Sequence, residues 1–226
     1  MLARALTVGL LAGVLAGALV SATQMVRVMP LILEGEIYEV VDHSEHAADE
    51  ATWSPEDGVE RTTYAVMANL LVGVGFGLLL VVAFVLAETA GHPIDTLRGP
   101  LWGLAGFLVF ALIPSVGLPP ELPGAAAAEL SARQLWWIGT AGATALGLGL
   151  IAFGRPPWVK ALALPVMVLP HLIGAPQPSE HGRSTPAELT REFVIASLAT
   201  TGLFWIALGT TSGWLYRRLA RSAASR

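Results

Sequence analysis

The sequence predicts an all-α, polytopic integral membrane helical bundle that forms a single membrane domain over residues 1–226. Hydrophobic residues make up 54% of the chain and Asp, Glu, Lys and Arg only 13%, about half the charged fraction of a soluble domain. A soluble protein of this composition would expose too much apolar surface, and disorder requires low hydrophobicity and high net charge. In addition, the charges fall in clusters that leave apolar stretches of membrane length between them.

Six apolar stretches have the length of a membrane crossing, which takes about 20 mostly apolar helical residues. They cover residues 5–26, 62–87, 99–118, 134–154, 158–174 and 193–216. Each is predicted to be a helix, because lipid requires the backbone groups of a span to pair within the segment and no alternating strand pattern is present.

The first stretch also fits a secretory signal peptide, since Arg4 precedes an apolar run that ends in small residues. We interpret it as a retained helix, because the run is long for a signal. Moreover, Gly9, Gly13 and Gly17 recur at the four-residue spacing of closely packed membrane helices.

The fifth stretch is the weakest of the six. Pro165 and Pro170 interrupt it, and its apolar core is short. It is either a kinked span or a re-entrant segment, so five crossings are the alternative to six.

The distribution of basic residues predicts that both termini are cytoplasmic. With six spans, eight of the 13 Lys and Arg residues lie on the inner side, as the positive-inside rule requires. Arg217, Arg218 and Arg221 contribute most, and they are predicted to contact anionic lipid of the bilayer. Fifteen of the 17 acidic residues then lie outside, where no basic patch suits nucleic acid.

The first outer loop, residues 27–61, contains ten acidic residues and two of the five histidines. His43 and His46 are three residues apart, so on a helix they would share one face, with Glu39 and Asp42 close by. Imidazole and carboxylate ligands suit Co²⁺, Ni²⁺ and Zn²⁺, and the absence of cysteine excludes a thiolate site. The loop therefore predicts capture of a divalent metal; the alternative is an ordinary solvated acidic surface.

Two further candidate metal ligands lie near the same membrane face. His171 is near the outer end of the proline-interrupted stretch, and Glu121 lies in a rigid, proline-rich turn. Ionisable groups at membrane depth tend to mark pathways, and broken helices free carbonyls that can line a cavity. The alternatives are an interfacial histidine bonded to a carbonyl and a simple loop acid.

Polar residues inside the first two spans are predicted to have a structural role rather than to bind a ligand. Gln24 and Asn69 could line a path, but interhelical hydrogen bonds are the commoner role of such residues in membrane spans. No Walker A sequence, Gly-x-Ser-x-Gly elbow or His-Glu-x-x-His motif is present. The chain is accordingly predicted not to be an enzyme, with no catalytic residues and no permanently bound cofactor.

Several unusual stretches resemble the CbtA family of predicted cobalt transporter subunits along nearly the whole chain. They are PLILE at 30–34, DGVER at 57–61, ANLLVGVGF at 68–76, LWGLAGF at 101–107, GLPPELPG at 117–124, ARQLWW at 132–137 and LPHLIGAPQP at 169–178. The resemblance implies a multispan protein of the bacterial cytoplasmic (inner) membrane that supports cobalamin synthesis. It also implies a partner, a small single-span His-rich protein of the CbtB type.

Together these observations predict transport of a divalent metal, cobalt before nickel or zinc, across the cytoplasmic membrane. The transported ion would be a substrate and not a resident cofactor. Two alternatives remain: a non-transporting scaffold or metal-delivery subunit that acts with the His-rich partner, and a membrane-embedded enzyme of unknown reaction.

Overall fold

The computed structural model describes residues 2–43, 55–94, 98–123, 125–178 and 185–224. Within these ranges the protein is helical and contains no strand, which confirms the predicted all-α class. The helices are α1 (Leu2–Arg27), α2 (Met29–His43), α3 (Val59–Thr89), α4 (Gly99–Phe107), α5 (Leu130–Phe153), α6 (Pro157–Ala161), α7 (Ala163–Ile173) and α8 (Ala187–Ala224).

Among the described residues, five helical segments are long and apolar enough to cross a membrane. They are Ala3–Arg27, Val59–Thr89, Gly99–Val116, Leu130–Phe153 and Ala187–Arg221, and they correspond to five of the six predicted spans. The chain is therefore a multi-pass membrane protein. The remaining predicted span coincides with the shorter apolar segment Pro157–Ile173, whose length of about 25 Å is less than the ~30 Å of the hydrocarbon core.

Prolines explain why this last segment is divided and short. Pro157 begins α6, and Pro165 lies in the first turn of α7, where backbone N–H groups have no intrahelical acceptor. Pro170 lies inside α7 and leaves the Val166 carbonyl without its usual helical donor. The helix ends at Gly174, whose φ of 90° favours glycine.

The third long segment also changes its helical type, because Pro114 cannot donate a backbone hydrogen bond. After α4 the chain widens into a π-helical turn over Leu108–Leu112, in which the Ile113 N–H donates to the Leu108 carbonyl at 3.1 Å. A 3-10 turn over Pro114–Val116 then ends the helix. This leads the chain into the non-helical segment 119–122.

The predicted outer loop contains a helix of its own. Residues 29–43 form α2, so Glu39, Asp42 and His43 lie in its last two turns. His43 is the last described residue of this segment, and His46 lies outside the described residues.

The described residues divide into two compact units. Unit 1 contains Met1–Arg27, Ala48–Gly106 and Ala199–Arg226, and unit 2 contains Val28–Ala47 and Phe107–Leu198.

In unit 1, α1 and α3 are in direct backbone contact along a row of glycines, which we call the α1–α3 seam. Gly13 lies against Gly73, and Gly9 lies against Gly77. A Cβ atom on Gly17 would stand 2.7 Å from the Asn69 carbonyl oxygen, closer than real Cβ atoms approach. The seam confirms that the glycine spacing of the first span serves close helix packing.

Also in unit 1, α4 packs against the later part of α8 through glycines that let the two backbones come into direct contact. A Cβ on Gly99 would lie 2.6 Å from the Gly209 carbonyl oxygen, and Gly103 lies against the Trp205 carbonyl. The Trp205 ring packs on Phe76 of α3, with 4.8 Å between ring centroids. Small residues thus set the helix spacing, and aromatic rings fill the space that remains.

Unit 2 is built around α5 and α7. The fully buried Thr140 and Thr144 donate their hydroxyls to the carbonyls one turn earlier, at 2.9 and 2.8 Å. A Cβ on Gly147 would meet the Met167 sulfur at 2.7 Å, so the absence of a side chain there makes room for the thioether. A separate apolar cluster consists of Val28, Leu122, Leu189 and Phe193.

Glu129 caps the amino end of α5, and its contribution to stability is expected to depend on pH. The Ser131 hydroxyl and the backbone N–H groups of Ser131 and Ala132 donate to its carboxylate, which lowers the pKa of Glu129 below its ordinary value. A carboxyl whose pKa is lowered by folding stabilises the fold above its ordinary pKa and loses that effect as the pH falls through the folded-state value.

We expect Glu129→Gln to lower the unfolding temperature in detergent at pH 7. The difference from the wild type should shrink as the pH falls through the lowered pKa of Glu129, because the wild-type carboxyl then also becomes protonated. Glu192→Gln is the matched control, because Glu192 is exposed on α8. A difference of equal size at pH 7 and pH 3 would contradict the cap.

Candidate functional site

The candidate site lies in unit 2, where the segment 117–123, the start of α5 and the end of α7 converge on Trp136. A Cβ on Gly117 would meet the Trp136 ring, with 2.7 Å to the ring atom Cζ2, and would lie 2.9 Å from the Ala175 Cβ. Glycine at position 117 therefore lets the chain pass directly over the indole. Three of the unusual sequence stretches, at 117–124, 132–137 and 169–178, meet at this point.

Trp136 fixes the end of α7. Its indole N–H donates to the Pro170 carbonyl at 3.1 Å, and the Gly174 N–H donates to the same carbonyl at 3.1 Å. The Trp136 ring also meets the His171 imidazole edge to face, with centroids 5.4 Å apart and an interplanar angle of 76°. The His171 imidazole is thus packed against the Trp136 ring near the end of α7.

Within the described residues, the contact shown for the His171 imidazole is with the Trp136 ring. The residue is partly exposed, and among the described residues no hydrogen-bond donor or acceptor contacts its imidazole. A neutral imidazole so placed can bind a borderline divalent metal.

Glu121 is half-buried and paired with an arginine. The Arg133 guanidinium donates to the Glu121 carboxylate at 2.7 Å, and each side chain is 29% exposed. Charge-assisted bonds of this length are among the stronger ones in proteins. A metal ion at Glu121 would have to displace Arg133 or share the carboxylate with it.

The helix that carries three of the other candidate ligands packs next to Glu121. Gly35 of α2 lies against Leu122, where a Cβ would meet the leucine side chain at 3.1 Å. Glu39, Asp42 and His43 follow within about 12 Å along the helix. Their side chains, like the whole of His46, lie outside the described part of the structure.

No complete metal site is formed by the residues that the structure describes. Nowhere among them do three His, Asp or Glu side chains lie close enough to hold one ion together. Within unit 2, His171 and Glu121 both lie in the segments around Trp136 and the first turns of α5. The predicted ligands of α2 follow Gly35, which packs against Leu122, so the described part of the site is a set of separate donors on neighbouring segments.

The polar residues predicted between the first two spans are found in unit 1 and are confirmed as interhelical contacts. The Asn69 amide of α3 donates to the Gln24 side-chain oxygen at 2.7 Å and to the Ser21 hydroxyl at 3.2 Å. The Ser21 hydroxyl donates in turn to the Gly17 carbonyl at 2.8 Å. These bonds continue the α1–α3 seam and need no ligand to satisfy them.

Sequence reasoning missed the partners of both candidate ligands in unit 2. Arg133 and Trp136 entered it only as members of the stretch ARQLWW at 132–137, with no role assigned to either. The signal that could have found them is their common place in ARQLWW, which puts an arginine and two tryptophans in the first turns of a span. An arginine there needs a nearby acid, and Glu121 is the acid in the preceding turn.

Comparison with known proteins gives one match. A family model described as "Probable cobalt transporter subunit (CbtA)" matches residues 2–217. No curated protein and no solved structure matches the chain.

Proposed function

The chain belongs to the CbtA family, and from that premise we propose that it conducts a divalent cation, cobalt before nickel or zinc, across the bacterial cytoplasmic membrane. The observation that carries the proposal is the family match over residues 2–217, nearly the full length of a multi-pass membrane protein. Support of cobalamin synthesis is the physiological part of the proposal. Cobalt is the substrate in this proposal, and no resident cofactor is required.

The arrangement in unit 2 supports a route for the ion. The acidic, histidine-bearing stretch around α2 would raise the local concentration of cations by its negative potential. Glu39, Asp42, His43 and His46 would bind the ion first, because imidazole with carboxylate suits borderline divalent metals. Glu121 and His171 would receive it next, since α2 packs against the segment that carries Glu121.

On this route, Arg133 would compete with the metal ion for the Glu121 carboxylate. Its guanidinium occupies the Glu121 carboxylate at 2.7 Å, so the carboxylate is charge-balanced when no metal ion is present. A dication attracts a carboxylate more strongly than a single positive charge does at the same distance. Arg133 would therefore hold the site closed to monovalent ions and give way to a divalent one.

We also propose six crossings with both termini in the cytoplasm. Pro157–Ile173 would complete the sixth crossing as a short, kinked span, because a short hydrophobic segment can be accommodated by local thinning of the bilayer. Without an ATP-binding motif, energy would come from a gradient, a partner or the membrane potential. That potential supplies about 2.3 kcal/mol per charge per 100 mV, which counts twice for a divalent cation moving inward.

The test is Co²⁺ uptake into proteoliposomes that contain this chain. We expect uptake that saturates with Co²⁺ and an apparent affinity about tenfold or more weaker after His43 and His46 are both replaced by Ala, because two imidazole ligands are lost. His92→Ala is the matched control, since His92 lies outside the α2 region. Unchanged affinity in the double variant would remove these histidines from the route.

The alternative function is that of a scaffold or metal-delivery subunit that acts with a small single-span His-rich partner. That the family is described as a transporter subunit supports the existence of other components. No uptake by this chain alone, combined with uptake when the partner is added, would favour that alternative. The same description supports transport over a membrane-embedded enzyme.

A further inference from the structure

A cluster of three side chains at one end of unit 1 has no part in the route described above. Arg4 lies in the first turn of α1, Glu88 in the last turn of α3, and Tyr216 near the end of α8. The Tyr216 hydroxyl donates to the Glu88 carboxylate at 2.6 Å, and the Arg4 guanidinium lies 4.3 Å from the centre of the Tyr216 ring. Each of three helices thus contributes one member of the cluster.

Tyr216 is the rigid member of this cluster. The residue is 2% exposed, and its ring packs edge to face on Phe84 of α3, with centroids 5.7 Å apart. Phe84 is fully buried. The Tyr216 hydroxyl therefore points at Glu88 from a fixed position and fastens α8 to α3.

Arg4 is the loosely held member. Its guanidinium lies 3.8 Å from the Glu88 carboxylate, beyond normal hydrogen-bond distance. Its Nε is buried without a hydrogen-bond partner among the described residues, an arrangement that generally costs stability. The Glu88 side chain is 34% exposed, and its carboxylate is contacted in the described structure by Tyr216 and Arg4. Another cation can reach it from the surface.

Ser212 is a second buried polar residue on this part of α8. It lies one helical turn before Tyr216 on α8, is 0% exposed, and its hydroxyl has no partner among the described residues. A buried hydroxyl without a partner is unfavourable in a static core. It can be satisfied by water when α8 moves away from α1 and α3.

We propose that Arg4, Glu88 and Tyr216 form a cation-operated latch that fastens the end of α8 to the α1–α3 pair. A divalent cation that binds the Glu88 carboxylate competes with Arg4 and draws the carboxylate away from the Tyr216 hydroxyl, which releases α8 and admits water to Ser212. The opening by a cation rests on the proposed function, since it requires a divalent ion to arrive at this end of unit 1. The contact that fastens α8 to α3 does not depend on the proposed function.

The chain has no cysteine, so a single introduced thiol reports on the latch without background. In Ser212→Cys protein reconstituted in liposomes, we expect slow modification by a water-soluble maleimide and about tenfold faster modification when Co²⁺ is added. Adding Tyr216→Phe should speed the reaction without Co²⁺, because this change removes the hydroxyl but keeps the ring on which Arg4 lies. Adding Glu88→Gln should abolish the response to Co²⁺, because the amide can still accept from Tyr216 but carries no charge.

Two controls keep this result interpretable. Thr89→Cys places an exposed thiol beside Glu88 and reveals any direct effect of Co²⁺ on the reagent or the thiol. Arg61→Ala in the Ser212→Cys protein removes an arginine from the exposed Asp57–Arg61 pair of the same unit and should leave the labelling rate unchanged.

Three results would overturn the latch: no acceleration by Tyr216→Phe, no acceleration by Co²⁺, or an undiminished Co²⁺ response in Glu88→Gln. The rates are read without measuring transport. A chain that fails to take up Co²⁺ but shows the full labelling pattern would refute the proposed function and leave the latch standing.

Discussion

Gly13→Val is expected to prevent the packing of α1 against α3 and to cause the largest loss of stability of any single change in unit 1. A Cβ at position 13 would meet the Gly73 carbonyl oxygen and would lie 2.5 Å from the Val74 Cα. Both are backbone atoms, so no side chain can turn away, and the helices must separate along the α1–α3 seam. Overpacking typically costs about 1–3 kcal/mol, and we expect at least the upper end of that range.

The free energy of unfolding in mixed micelles titrated with SDS measures this effect. Gly75→Val is the matched control, because it adds the same side chain to a helical glycine of α3 that has no atom within 4 Å of its Cβ position. It should be nearly neutral. Equal destabilisation by the two substitutions would show that valine in a span, rather than the seam, is responsible.

Trp136→Ala is expected to have the largest effect in unit 2, a loss of about 3 kcal/mol in the same assay. The substitution removes the ring on which Gly117 and His171 pack and the donor to the Pro170 carbonyl. Trp136→Phe keeps most of the ring and removes the N–H, so it should cost about 1 kcal/mol, the net value of one hydrogen bond.

Trp158→Ala serves as the control for loss of a tryptophan, because Trp158 is 65% exposed and should contribute little. Under the proposed function, Trp136→Ala should also weaken Co²⁺ uptake, because His171 is no longer held. Destabilisation of the same size by Trp136→Phe and Trp136→Ala would show that the indole N–H, and not the ring, positions the end of α7.

The membrane helices and one helix contact could be predicted from the sequence because their physics is local. A charge-free run of membrane length has to pair its backbone groups internally, so it becomes a helix. The four-residue spacing of Gly9, Gly13 and Gly17 likewise indicates a face without side chains, which is what the α1–α3 seam requires. The proline-interrupted stretch was correctly singled out, but the place of its break depends on which helical turn each proline occupies.

The candidate site could not be predicted in the same way, because its contacts join distant parts of the chain. Glu121 and Arg133 are 12 residues apart, and Trp136 and Pro170 are 34 apart. Whether these residues meet depends on the path of the chain between α4 and α5 and on the direction that α7 takes after its prolines. From the sequence, the acids and histidines can be assigned to one side of the membrane. Knowing the side does not tell which of these side chains lie close enough to bind one ion.

The two helix contacts described for the separate units differ in stiffness. Along the α1–α3 seam, backbone meets backbone, and no rotatable bond lies between Gly13 and Gly73. The two helices therefore behave as one rigid pair. They can move apart, but side-chain repacking cannot change their spacing. Between α5 and α7, the flexible thioether of Met167 fills the space at Gly147, and such a contact can deform while it remains closed. Small adjustments in unit 2 are therefore accommodated inside the helix interface, whereas in unit 1 they must appear as displacement of a whole helix.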